Sequence, residues 1–302
     1  MLKNFANKKI SRSLKFWFQF FIFKYLLSRK NKDQIIFNND FIGNYITVFG
    51  CYEREMLDSI FLFLKKLKNK FKNGICLDIG SNIGNHSIYF SKIFDKVYGF
   101  EPNPKTFSIN LINTKNIENI TTHPIGLGDR NESKNIYTAD SDLGTSSFLL
   151  KKSKNLLITK VKIKKLDDLK LNMSNLMMIK VDIEGFESFF FKGAKKIIKK
   201  KLPIIIFEHS NKKSSTDKKN IIKYLEELGY IFFEYLEGIE KQSFLKNNFI
   251  GRRVYNIYEL FVGRATCIRQ ISAISNKNYP LIIAIPNKHI SSVVKTWLIV
   301  KY

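Results

Sequence analysis

Short apolar runs alternate with helical segments of about ten residues from Ile75 to Leu236, and this alternation limits the fold more than any other feature. Ile75–Ile79 reads as a strand that ends in a Gly-rich turn, residues 84–94 as a helix, and Lys96–Phe100 as a second strand. Residues 104–114 continue as a helix with Pro104 in its first turn, where a missing N–H costs nothing. Ile120–Pro124, Met177–Val181, Ile204–Phe207, Tyr230–Leu236 and Leu281–Ile285 give five more strands, with helices over 186–200 and 217–228. Such alternation predicts an α/β chain: a Rossmann-like, seven-stranded, mostly parallel sheet with helices on both faces.

The pattern has interruptions. Residues 130–165 are polar and then alternate at Thr159–Ile163, which reads as an inserted hairpin, and Leu166–Leu169 as a short helical turn. Residues 53–68 place Met56, Leu57, Ile60, Leu64 and Leu67 at helical spacing, whereas 41–50 read as a short strand pair or loop. Residues 238–278 carry no clear period. The division expected is a basic, aromatic helical extension over 1–40 and one domain over 41–302, with its core at 50–236 and a closing strand near 279–286.

The chemistry is concentrated where strands end. Asp78-Ile79-Gly80-Ser81-Asn82-Ile83-Gly84 closes the first strand and opens a helix. A nucleoside cofactor needs a tight turn and close backbone approach there, which Gly80 and Gly84 permit, while Asp78 bonds the cofactor or orients the loop. Asn82 stands where a dinucleotide fingerprint has its second glycine, which argues against a nicotinamide or flavin enzyme. Glu101 ends the second strand, 23 residues after Asp78, before Pro102 and Asn103. An acid there lies beside the first loop and accepts hydrogen bonds from ribose hydroxyls.

Lys180-Val181-Asp182-Ile183-Glu184-Gly185 closes the fourth strand. Period-two alternation sets Lys180, Asp182 and Glu184 on one side, where a lysine and an acid form a buried pair. Glu208 and His209 end the fifth strand and aim ionisable groups at the same cleft. His209 has the ordinary pKa of a general base, and Asp182 is the other candidate for that role. His86 and His123 lie on the cofactor side, where His86 is expected to pack or cap.

The runs DIGSNIG, GFEPNP, IGLGD, KKLDDL, IKVDIEGFE with KGA, and IIIFE resemble the FkbM family of methyltransferases in order and spacing over about residues 50–210. The resemblance implies a class I methyltransferase fold and S-adenosyl-L-methionine as cofactor. It implies O-methylation of a hydroxyl on a sugar, glycan or secondary metabolite. By position, Asp78, Gly80, Ser81, Asn82 and Gly84 form the cofactor loop, with Ser81 where the family usually has Ala. Glu101, with Pro102 and Asn103, holds the ribose, and residues 126–129, including Gly126 and Leu127, pass the adenine. Lys180, Asp182, Glu184, Glu208 and His209 are the candidate catalytic residues; a metal held by Asp182, Glu184 and Glu208 is a lesser variant, and no metal site is assigned.

Composition sets the partners. There are 51 Lys and Arg against 26 Asp and Glu, a formal charge of +25. A surface of that sign attracts anions, although Lys, Asn, Ile and Phe abound throughout. Residues 1–32 hold nine Lys or Arg and no acid around the run Phe16–Phe23, which is too short to span a bilayer comfortably. A basic aromatic helix over residues 3–32 suits peripheral contact with an anionic membrane, and a cytoplasmic enzyme held at the inner face of that membrane is the expectation. The three cysteines, Cys51, Cys76 and Cys267, have neither disulfide-framework nor zinc spacing. The acceptor expected is a sugar or glycan in bacterial surface-glycan or lipid-linked saccharide biosynthesis. The competing readings are an RNA methyltransferase, which the charge favours but the absent Asn-Pro-Pro-aromatic motif opposes, and a non-catalytic membrane-associated binding protein.

Overall fold

The computed structural model describes residues 34–37, 41–66, 71, 73–139, 142–147, 156–209, 215–237, 266–271, 279–290 and 298–300. The expected membrane helix over 3–32 lies outside the described residues. Among the described residues, no helix is long and apolar enough to cross a membrane.

The strands are β1 (Ile75–Ile79), β2 (Lys96–Phe100), β3 (Ile120–His123), β4 (Gly126–Leu127), β5 (Glu132–Ala139), β6 (Asp142–Ser147), β7 (Leu156–Lys164), β8 (Leu176–Val181), β9 (Ile204–His209), β10 (Tyr230–Glu237), β11 (Thr266–Ile271), β12 (Tyr279–Pro286) and β13 (Leu298–Val300). The helices are α1 (Phe41–Phe49), α2 (Arg54–Lys66), α3 (Asn85–Phe90), α4 (Pro104–Thr114), α5 (Glu187–Gly193), α6 (Lys195–Lys201) and α7 (Ser215–Glu227).

The main sheet runs β13-β11-β10-β12-β9-β8-β1-β2-β3. β3, β2, β1, β8 and β9 pair in parallel, and β12 enters antiparallel between β9 and β10. The seven expected strands are all present, but the sheet has nine, because β11 and β13 extend the edge beyond β10. β11 falls within 238–278, where no period announced it. What holds it is tertiary: Thr266 and Ser59 share a buried 2.9 Å hydrogen bond, and Arg269 pairs with Glu234 on β10. The insertion over 130–165 supplies β5, β6 and β7 of a second sheet, β4-β7-β5-β6, packed through Ile136, Val161 and Ile163 onto Phe186.

Strand alternation divides the core between the two faces of the main sheet. Leu77, Ile79, Ile205 and Phe207 point to the side covered by Phe190, Ile198 and Leu225 of α5, α6 and α7. Cys76, Ile204 and Ile206 point to the other, under Leu57, Ile60 and Leu64 of α2 and Phe90 of α3. Burial of this kind, at about 25 cal/mol per Å² of apolar surface, is what holds helices of six to thirteen residues, which are too short to be stable alone.

Two local expectations are corrected. Residues 41–49 form a helix rather than a strand pair or loop. Its β-branched residues and Gly43 disfavour helix, and burial of Ile46 overrides that preference. The single helix expected over 186–200 is broken into α5 and α6. A Cβ on Gly193 would stand 1.8 Å from the carbonyl oxygen of Gly128, so the backbones touch there and the helix gives way at Ala194.

Candidate active site

The β1–α3 loop is clamped from three sides. The N–H groups of Gly80 and Ser81 both donate to the carbonyl of Phe100 at 3.0 Å, which ties the loop to the end of β2. Asn110 of α4 donates to the Asn82 carbonyl (2.7 Å) and to Ser81 Oγ (2.9 Å), and Asn113 donates to the Ile83 carbonyl (2.8 Å). Gly80 has φ +79, and a Cβ there would lie 1.9 Å from the Asp182 carbonyl oxygen. The loop can therefore press against the end of β8 only with glycine at that position. Gly84 is the N-cap of α3.

Glu101 is 7% exposed, and its two carboxylate oxygens accept from the backbone N–H groups of Asn82 (3.1 Å) and Asn103 (2.8 Å). Burial raises its pKa to about 7 against the pull of those two donors. Each oxygen keeps a further lone pair for a hydroxyl. Asn103 caps α4 by accepting from Lys105 N–H at 3.0 Å, and Pro102 is half-buried beside it. These residues fit a nucleoside cofactor: a buried acid for a diol, set beside a turn that allows close backbone approach.

Asp78 lies beneath the β1–α3 loop. Its side chain is fully buried, accepts from Ser87 Oγ at 2.6 Å and lies 3.5 Å from Lys180 Nζ, so it braces the loop from below. Leu127 is likewise a core residue at 2% exposure, and Gly126 is buried, in a two-residue strand of the second sheet.

At the end of β8, Lys180 reaches Asp182 Oδ2 at 3.1 Å as well as Asp78, so one ammonium holds two carboxylates. Burial opposes its charge, but the two acids raise its pKa above the ordinary lysine value. Burial likewise opposes ionisation of Asp182, yet Lys180 and then His86 lower its pKa below the ordinary carboxylate value. Glu184 does not continue the alternation: β8 ends at Val181, and Glu184, exposed at φ +50, turns the chain towards Gly185 and α5. Glu208 follows Phe207, which pairs with Val181, so it stands one residue past the register on the neighbouring strand, beside Asp182. Although Glu208 is exposed, crowding by protein atoms and then the charges of Asp182, Glu184 and Glu53 push its pKa up to about 8. His209 ends β9 opposite Tyr279, and its side chain lies outside what is described. Among the described residues no group of three or more His, Cys, Asp or Glu is arranged to hold a metal ion.

Tyr52, Glu53 and His86 complete this side, and the first two had no sequence signal. Asn85 of α3 fixes them by donating to the Tyr52 carbonyl (3.2 Å) and accepting its N–H (3.1 Å). His86 is stacked under Tyr52 with ring centroids 6.1 Å apart, and its Nε2 is 3.4 Å from Glu53 Oε2. The only available hint was the position of Tyr52 and Glu53 just ahead of an amphipathic helix, and that says nothing of a cleft. His123 stacks on Phe100 at 5.0 Å, away from these acids.

The family profile of the methyltransferase FkbM domain matches residues 78–232, just over half of the chain. No curated protein matches the chain. Among solved structures, an FkbM methyltransferase from Methylobacillus flagellatus is 20% identical over 53% of this chain and 39% of its own, with a TM-score of 0.37. That alignment therefore spans well under half of the relative. A precorrin-6Y C5,15-methyltransferase from Geobacter metallireducens aligns at 12% identity over 76% of this chain and 87% of its own (TM-score 0.37). A SAM-dependent O-methyltransferase from Thermotoga maritima aligns at 10% over 89% and 71% (TM-score 0.37). With the Gly80–Gly84 turn and Glu101 inside the matched segment, the chain belongs to the methyltransferase FkbM domain family, and S-adenosyl-L-methionine is the cofactor expected of it.

Proposed function

We propose that this protein moves a methyl group from S-adenosyl-L-methionine to a hydroxyl of a sugar, in the assembly of a bacterial surface glycan or lipid-linked saccharide. The observation that carries the reading is Glu208: a carboxylate with its pKa raised to about 8, beside a Lys180-paired Asp182 and a loop built for a nucleoside. A sulfonium methyl, when bound, is already electrophilic, so the protein's work is to place an alcohol in line with it and take the proton. An alcohol does not ionise at neutral pH, and a base with a pKa near the working pH is the efficient partner. Asp182 is a poor base, because its charge is held by Lys180. Glu208 would receive the hydroxyl proton, and S-adenosyl-L-methionine, when bound, would supply the methyl group.

The test is methyl transfer from labelled S-adenosyl-L-methionine to a panel of glycosides, with product sites read by mass spectrometry. The turnover of the wild type rises with pH and levels above about 8, since the ionised form of Glu208 is the active one. Glu208→Gln lowers kcat by roughly 10²-fold and removes that limb. An unchanged profile in the variant would move the base elsewhere. Residues 3–32 hold the enzyme at the inner face of an anionic membrane in this reading. Equal liposome flotation with and without them would remove that part.

A further inference from the structure

The second sheet has one face packed and one face open. On the inner face Ile136, Val161 and Ile163 pack with Phe186, and Lys134 lies over the rings of Phe186 (4.8 Å) and Phe189 (5.1 Å). The outer face of β7 carries the alternate residues Ile158, Lys160, Lys162 and Lys164, all exposed. Side chains two apart on a strand stand about 7 Å from one another, so the lysines form a row about 14 Å long. Their partners across β5 are uncharged: Ser133 faces Lys162, Asn135 faces Lys160, and Tyr137 faces Ile158. The one acid of β5, Glu132, stands opposite Ile163 on the inner side. Like charges so aligned repel one another, and an anionic partner relieves that repulsion. Ile158, at the end of the row, is 61% exposed, more than any other large apolar residue among those described. By sequence, residues 143–165 hold seven lysines and no acid, and the connection into β7 begins Phe148-Leu149-Leu150.

We propose that this outer face docks on an anionic bilayer, with Lys160, Lys162 and Lys164 at the headgroups and Ile158 entering beneath them. A nucleic-acid backbone would use the lysines but leave the exposed isoleucine in water, whereas a bilayer takes both. The contact adds to the membrane part of the proposed function, but it stands on residues of the folded domain and needs neither residues 3–32 nor methyl transfer. The charge distribution sets the orientation. Asp182, Glu184 and Glu208 make the cleft acidic, so an anionic surface is repelled there and drawn to the lysine row. The sheet also borders the cleft, because Asn103, two residues after Glu101, donates to Thr138 Oγ1 of β5 at 3.3 Å.

Amine acetylation of the full chain, read by mass spectrometry with and without vesicles of phosphatidylglycerol and phosphatidylcholine, tests the contact. Lys160, Lys162 and Lys164 are expected to react at least threefold more slowly with these vesicles, and at the unchanged rate with phosphatidylcholine alone. Lys65 is the exposed control, since α2 covers the opposite face of the main sheet, and it keeps its rate. The triple variant Lys160→Gln, Lys162→Gln, Lys164→Gln lowers the vesicle partition coefficient roughly tenfold or more at low salt, and cofactor affinity holds within twofold. Ile158→Ser lowers partitioning in the same direction and serves if the triple variant does not fold. Vesicle binding that leaves the three lysines reactive and survives these variants belongs to residues 3–32 alone and overturns the proposal. Slower acetylation with polyuridylate but not with vesicles also overturns it, and makes the face a nucleic-acid surface. Protection of the row in a chain that transfers no methyl group keeps the contact and counts only against the methyl-transfer reading.

Discussion

The wall proposed for the cofactor and the wall proposed for the acceptor are made differently. From Gly80 to Asn103 the wall is backbone: amides of Asn82 and Asn103 position one acid, and the carbonyls of Asn82 and Ile83 are clamped by asparagines of α4. Next to it, the wall is side chains from separate segments, Tyr52–Glu53, His86, Lys180–Asp182 and Glu208, brought together by the sheet and the helices docked on it. A backbone site recognises what is common to its ligand class and depends on a short run of residues. A side-chain site can change its acceptor one residue at a time without disturbing the cofactor. The two meet at Lys180, which reaches Asp78 under the loop and Asp182 at the rim.

That meeting point is where the comparison breaks most sharply. Lys180→Met leaves Asp78, fully buried, without its ion pair, and is expected to cost about 3–5 kcal/mol in urea unfolding and to weaken cofactor binding as well. A variant as stable as the wild type would mean the two sides are independent. Gly80→Ala comes next. Its methyl must push against the Asp182 carbonyl and adopt φ +79, so a loss of about 1–3 kcal/mol is expected, together with lost cofactor affinity, read by thermal unfolding and calorimetry. Asn103→Ala should cost about 1 kcal/mol through the lost cap of α4, with acceptor binding untouched. A larger effect on the acceptor than on the cofactor would blur the distinction.

The same difference explains what the sequence disclosed. The cofactor side is local: a Gly-containing turn after one strand and an acid after the next can be read from spacing, because β1 and β2 are joined by a single helix. The Lys180–Asp182 pair was legible for the same reason, being two residues apart where β8 ends. Glu184 was not, since β8 ends at Val181 and Glu184 itself takes a left-handed conformation. Tyr52 and Glu53 were invisible because their meeting with His86 depends on where α2 docks, which no local pattern encodes. β11 and the helix over 41–49 escaped for a related reason, as burial and long-range bonds overrule weak propensity there.

Calorimetric binding of S-adenosyl-L-methionine to the wild type and to Glu101→Ala is the most direct test of the central claim. The ionised Glu101 carboxylate is the better acceptor for ribose hydroxyls. Its pKa near 7 means that cofactor affinity rises as pH passes through that value. Folding stability runs the other way: the folded state holds the proton more tightly than the unfolded chain, so this group's contribution falls as pH rises from about 4.5 to about 7. The account predicts that the wild type binds, more tightly at pH 8 than at pH 6, and that Glu101→Ala binds much more weakly without that trend. A folded wild type that takes up no S-adenosyl-L-methionine at either pH would contradict it.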